Sequence, residues 1–157
     1  MEKNSPTRTG LFFEEYKPGM QLTSMAKTIN EGDVAAFAGL TGDFSAIHTD
    51  AVYAANFVFG QRIAHGLLGL STAVGLAVRM GFLEGTILAF REILDWKFSA
   101  PIFFGDTIHA VMEVTEVKAV PKLGGGLVTL RVEILNQDNK LVQQGKWSVL
   151  IKSNSCA

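Results

Sequence analysis

The stretch "HGLLGLSTAVGLAVRM", residues 65–80, decides the fold of this chain. After His65, only Ser71, Thr72 and Arg79 break its run of apolar and glycine residues. A helix that is apolar on nearly all sides is stable only where other structure wraps it. The run is also shorter than the roughly 18–20 apolar residues that cross a bilayer. The wrapping must come from the remaining chain, and beyond residue 80 the sequence turns to strands. In "LVTLRVEIL", Val128, Leu130, Val132 and Ile134 alternate with Thr129, Arg131 and Glu133, the two-residue period of a half-buried strand. "DTIHAVMEVTEVKAV" puts Ile108, Ala110, Met112 and Val114 on one face. Leu94, Trp96 and Phe98 alternate within "ILAFREILDWKFSA", and Trp147, Val149 and Ile151 within "KLVQQGKWSVLIK". Turn residues separate these runs at Pro101 and Gly105, at Gly124-Gly125-Gly126 and in "NQDNK". The pattern predicts an α+β fold in which one antiparallel sheet curls around one buried helix.

Upstream, Pro18-Gly19 signals a turn, and a short strand is predicted across Met20–Ile29. Helical spacing then brings Val34, Phe37, Ala38 and Leu40 together, with Asn30 as N-cap and Gly42 as the stop. A second helical piece is expected from Asp50 through "AVYAAN". No repeat or linker divides the chain. One domain is expected over residues 11–152, with a flexible lead over 1–10 and a tail over 153–157.

The 157 residues carry a net charge of −1 and no basic block, which argues against a nucleic-acid partner. Charged residues make up 18% and hydrophobic residues 48%, a lean surface that predicts a homodimer or a higher homo-oligomer. The polar start "MEKNSPTRTG" has no secretory core, so a cytoplasmic protein without a membrane anchor is expected. The single cysteine, Cys156, has no basic neighbour that would make it a nucleophile.

Chemistry-bearing residues gather in "TGDFSAIHTD" (41–50). On a straight helix Asp43 and His48 would diverge by about 140°. Gly42 and the composition "DFSAIH" predict a loop instead, where both can turn toward one point. A carboxylate and an imidazole sharing one water can divide acid and base roles. Equally, Asp43 could cap the next turn while His48 fills space beside Ile47. Gly66 admits the same two readings, as a close-packing glycine or as a helix-start N–H that holds an oxyanion. His65, bordering the buried helix, is expected to be a hydrogen-bonded structural residue, and His109 to lie on a solvent or partner face. The histidine spacing does not suggest a metal site. Ser45 and Ser71 lack a nucleophile-elbow context.

The segment "FAGLTGDFSAIHTDAVYAANFVFGQRIAHGLLGLS" (37–71) resembles the signature of MaoC-like dehydratases and (R)-specific enoyl-CoA hydratases. That pattern runs S/T-G-D-x-N-P-x-H-x-D, then an aromatic-Ala pair, then F-G-x-x-I-A-H-G. Thr41, Gly42, Asp43, His48, Asp50, Tyr53, Ala54, Phe59, Gly60, Ile63, Ala64, His65 and Gly66 match it. A looser likeness covers "FFEEYKPGM" (12–20) and "WKFSAPIFFGDTIHAVMEV" (96–114). The resemblance implies a hot-dog fold and an acyl-CoA thioester substrate held at a subunit boundary, with no separate cofactor. It implies that Asp43 and His48 are the catalytic pair: His48 takes a proton from water while Asp43 protonates the α carbon, giving syn addition and an (R)-3-hydroxyacyl product. It implies that Gly66 N–H binds the thioester oxygen, with Ser45 and His65 supporting the loop. Phe57, Phe59, Leu70 and Val74 are expected to shape the acyl pocket. One departure stands out, since Ser45-Ala46 replaces the pattern's Asn-Pro. A hot-dog thioesterase, or a non-catalytic acyl-CoA-binding or partner subunit, are the competing readings.

Overall fold

The structure, a computed structural model, describes residues 10–154. The expected lead up to residue 9, and the tail from residue 155 with Cys156, lie outside the described residues. The fold itself reaches slightly past the expected edges. Gly10 is buried and donates to Glu84 O at 3.1 Å, and Ser153 is buried with its N–H on Gly124 O at 3.0 Å.

Six strands form the antiparallel sheet: β1 (Gln21–Thr23), β2 (Lys27–Thr28), β3 (Ile87–Phe98), β4 (Thr107–Val120), β5 (Gly125–Leu135) and β6 (Leu141–Lys152). Their order is β1-β4-β5-β6-β3, with β2 also paired to β4. The helices are α1 (Glu31–Thr41), α2 (Ala46–Thr49), α3 (Ala51–Ala55) and α4 (Gly66–Arg79). The predicted inward faces meet on one side of the sheet. Ile108, Ala110, Met112 and Val114 of β4 and Val128, Leu130, Val132 and Ile134 of β5 join Leu68, Leu70, Ala73 and Ala77 of α4 in one apolar core.

Helix ends follow their sequence signals. Asn30 Oδ1 accepts from Asp33 N–H while Asp33 Oδ2 accepts from Asn30 N–H, a reciprocal cap for α1. Gly42 closes that helix at φ 77°, a conformation that suits glycine. Asp50 caps α3 through bonds from Val52 and Tyr53 N–H, each 2.9 Å.

Three expectations are corrected. The strand predicted across Met20–Ile29 is two short strands. Between them the Ser24 hydroxyl accepts from Ala110 N–H at 2.9 Å, so a side chain replaces the backbone acceptor of a continuous ladder. The alternation in 87–98 suggested a regular half-buried strand, but β3 is a bulged edge with Asp95 at φ 52° and with Leu94 and Phe98 exposed. Helix α4 is not enclosed within one chain, because Leu67, Ser71, Gly75 and Val78 form an exposed stripe.

Helix α4 sits close on the sheet because Gly69 has no side chain. A Cβ there would overlap Gln143 Nε2 of β6 and approach Ile102 Cδ1 to 2.6 Å. Gly69→Val is therefore expected to destabilise the fold by about 1–3 kcal/mol through overpacking. Gly75→Ala on the exposed stripe, where a Cβ meets nothing within 4 Å, should be neutral or stabilising by up to about 1 kcal/mol. Urea unfolding of both variants checks the contrast.

Candidate active site

The loop after α1 brings Asp43 to the start of α2, and that one-turn helix carries His48. The loop predicted for "DFSAIH" is thus half helix, with Ala46–Thr49 forming the turn. Asp43 Oδ1 accepts from both the Ser45 N–H (3.1 Å) and the Ser45 hydroxyl (2.5 Å). These two bonds, the hydroxyl first, hold the Asp43 carboxyl below its ordinary value. Desolvation opposes them, and the nearby His65 and His48 add a smaller favourable effect. Ser45 thus anchors the Asp43 carboxyl at the position where the pattern has asparagine, and Asp43 does not cap the next helix, because α2 begins after Ser45 without a side-chain cap.

His48 is buried, and its Nδ1 lies 2.8 Å from Ile63 O. A carbonyl can only accept, so Nδ1 carries the hydrogen and Nε2 presents a lone pair. That nitrogen has no hydrogen-bond partner among the described residues. His65 is likewise buried, with Nε2 donating to the backbone carbonyl of Asp43 at 2.9 Å. Its ring packs on His48 with centroids 3.9 Å apart. The expected structural part for His65 therefore has a definite form, since it pins the backbone of the loop that carries Asp43.

Helix α4 begins at Gly66, and its N-cap residue His65 makes no side-chain cap. The Gly66 N–H consequently has no acceptor among the described residues. Gly66 itself lines a cavity of about 430 Å³ whose wall also includes His48. Most of the remaining lining is apolar: Ile47, Phe59, Ile63, Leu67, Phe98, Ala100, Pro101 and Ile102. Asp43 is not on that wall. Its side chain is 47% exposed, with Oδ2 3.9 Å from His65 Nε2.

Of the four residues expected to shape an acyl pocket, only Phe59 lines this cavity. Leu70 is buried in the core beneath α4, and Val74 packs against that core from a half-buried position. Phe57 is half-exposed and stacks on Tyr53 at 5.6 Å. Helical phase explains the first two, because one turn past Gly66 the apolar residues face the sheet rather than the cavity.

Sequence reasoning missed Gln143 and Phe98. Counting by twos from Ile151, Val149 and Trp147 toward the N-terminus places Gly145 and Gln143 on the same inward face, so a signal for Gln143 was present. Phe98 gave none, because its contact with Gly66 depends on how β3 passes the helix.

The spacing argument against metal ligation is also qualified by the fold. Asp43, His48 and His65 each place a donor atom within 4.8 Å of the others. Backbone carbonyls hold one nitrogen of each ring, so His48 Nε2 and His65 Nδ1 are the lone pairs such a group could use. His109 is remote from this cluster, on β4.

A model of the MaoC-like domain matches residues 14–137. This chain belongs to the MaoC-like dehydratase family. It is 37% identical over 142 residues to the (R)-specific enoyl-CoA hydratase of Rhodospirillum rubrum, covering 89% of this chain and 91% of that protein. It is also 37% identical over 98 residues to Protein MaoC of Klebsiella aerogenes, of whose length it spans 29%. The fold is the hot-dog fold. A conserved hypothetical protein of Mycobacterium tuberculosis, described as a double hot-dog, superposes with a TM-score of 0.83 at 22% identity, covering 93% of this chain and 45% of that one. Among the described residues of this family member, no helix is long and apolar enough to cross a membrane.

Because Ser45 lowers the Asp43 titration, Ser45→Ala should move its midpoint up toward the ordinary carboxylate value. Carbon-detected NMR of the labelled carboxyl, followed from pH 2 to 7, reads this directly; an unmoved midpoint would show that the Ser45 hydroxyl bond does not set it.

Proposed function

We propose that this protein is a hydratase/dehydratase that adds water syn across the α,β double bond of an enoyl-CoA thioester, giving an (R)-3-hydroxyacyl-CoA, and that also runs the reverse. The observation that carries this reading is the shared cavity wall. Gly66, with its unpartnered N–H, and His48, with its free Nε2, line one apolar space, and the Asp43 loop is tied to it through His65. A thioester oxygen on Gly66 N–H would leave the double bond beside His48.

Hydration begins with Asp43 as the carboxylate that its Ser45 bonds favour and with the Nε2 lone pair of His48 free. Water oxygen bonds to the β carbon as His48 Nε2 takes one of its protons. The double-bond electrons move through the α carbon onto the thioester oxygen, where the Gly66 N–H stabilises the developing charge. The α carbon then takes the proton from Asp43 and the carbonyl re-forms. That proton is the one His48 took from water, passed on through Asp43, so both residues end as they began. The two Ser45 bonds favour the Asp43 carboxylate, the form that removes the α proton in dehydration. The residues are sufficient for this acid–base chemistry without a cofactor.

The cavity supports an uncharged acyl group. Among the described residues its only polar side chains are His48 and Gln143, so a terminal carboxylate would find no cation on the wall. A second copy of the chain is the proposed partner. Edge strand β3 exposes Ile87, Leu88, Phe90, Ile93 and Leu94, and Phe98 lies at its end beside the cavity.

Hydration of crotonyl-CoA, followed as loss of enoyl-thioester absorbance, tests the activity. Asp43→Asn and His48→Ala should each lower kcat by about 10²–10⁴-fold. Thiol release from a saturated acyl-CoA would instead favour a thioesterase, and binding without turnover of any enoyl-CoA would favour a binding subunit. Sedimentation velocity should give a dimer or larger for the wild type and a smaller species for Ile93→Lys.

A further inference from the structure

We infer that Gln143 is a positioning residue for the thioester-oxygen donor at Gly66; this rests on the hydratase reading above. Gln143 is 1% exposed, on the inward face of β6. Its Nε2 donates to Gly66 O at 2.9 Å, and its Oε1 accepts from Trp96 Nε1 of β3 at 3.2 Å. The amide is not capping a helix end, because a first-turn carbonyl is already an acceptor within the helix. Its bond to Gly66 instead ties the first turn of α4 to the sheet.

The same ladder position grips Gly66 from a second direction. Gln143 pairs with Phe98 across β6 and β3, and the Phe98 ring lies where a Gly66 Cβ would come within 2.7 Å of Cδ1 and Cε1. Glycine at that point admits the ring and a ligand, but its backbone is intrinsically the freest of any residue. Gln143 and Phe98 remove that freedom from outside. One turn on, Gly69 leaves the space that the Gln143 amide occupies. Gly66 and Gly69 therefore form a seat for one buried amide, and the direction of the Gly66 N–H depends on it. Leucine or methionine could fill the volume but could not hold the carbonyl.

The test compares Gln143→Leu, Gln143→Glu and Trp96→Phe with the wild type. Gln143→Glu keeps the acceptor facing Trp96 but sets an oxygen against Gly66 O, whereas Trp96→Phe removes the other bond and keeps the one to Gly66. Gln143→Leu and Gln143→Glu are expected to lower kcat about 10–100-fold with KM within about 3-fold, since misplacing a donor by about 1 Å costs up to about 10² in rate. Trp96→Phe should stay within about 3-fold of wild type. The carbonyl stretch of a bound acyl-CoA thioester, read by infrared difference spectroscopy, should lose its downshift in the two Gln143 variants and keep it in Trp96→Phe. Gln143→Met repeats the measurement should Gln143→Leu not fold. Gln143 variants with near-wild-type kcat, or with an unchanged carbonyl shift and losses that track the folded fraction, would overturn the inference. A wild type inactive on every enoyl-CoA overturns the hydratase reading instead, and this inference falls with it.

Discussion

The flush seating of α4 on the sheet is the constraint on which the rest of the molecule depends. Leu68, Leu70, Ala73 and Ala77 can leave water only against the inward faces of β4 and β5. Gly69 lets the helix approach closely, and the approach fixes where its N-terminus emerges. Because that terminus begins at Gly66 without a side-chain cap, burying the helix also delivers a free N–H to a cavity wall. On the proposed reading, core packing and chemical competence are two results of one contact, which is why a core substitution near the first turn would affect both.

The segment between α1 and α4 is organised by polar bonds more than by burial. Ser45 holds the Asp43 carboxylate, Asp50 starts α3, Ile63 O sets the tautomer of His48, and Asp43 O accepts a hydrogen bond from His65 Nε2. Each bond is weak, about 1 kcal/mol net, but together they leave the two imidazoles and the carboxyl little freedom to turn away. The arrangement divides labour electrostatically. Asp43, half-exposed and bonded by Ser45, favours the anion, while His48, shielded from water, keeps one nitrogen free beside the apolar cavity. On the proposed reading, one proton passes between these two groups and their roles exchange with the direction of reaction.

How much of this was legible in the sequence varied with the range of the interaction involved. The cap at Asn30 and the stop at Gly42 were readable because each involves residues only a few positions apart. Alternation placed the inward faces of β4 and β5 because their pairing is regular from His109 to Val114, short of the register shift that follows. It misled at β3, where bulges and the left-handed Asp95 reset the phase, and at Met20–Ile29, where a serine side chain interrupts the ladder.

The sequence by itself determined the class of fold and the family, because periodicity, capping and a dense local motif are written in neighbouring positions. Only the tertiary structure decided that His65 underpins the Asp43 loop, that Leu70 and Val74 belong to the core rather than the cavity, and that Gln143 and Phe98 close on Gly66. The physical reason is that these contacts join residues far apart in the chain, and their geometry is set by where the helix comes to rest on the sheet.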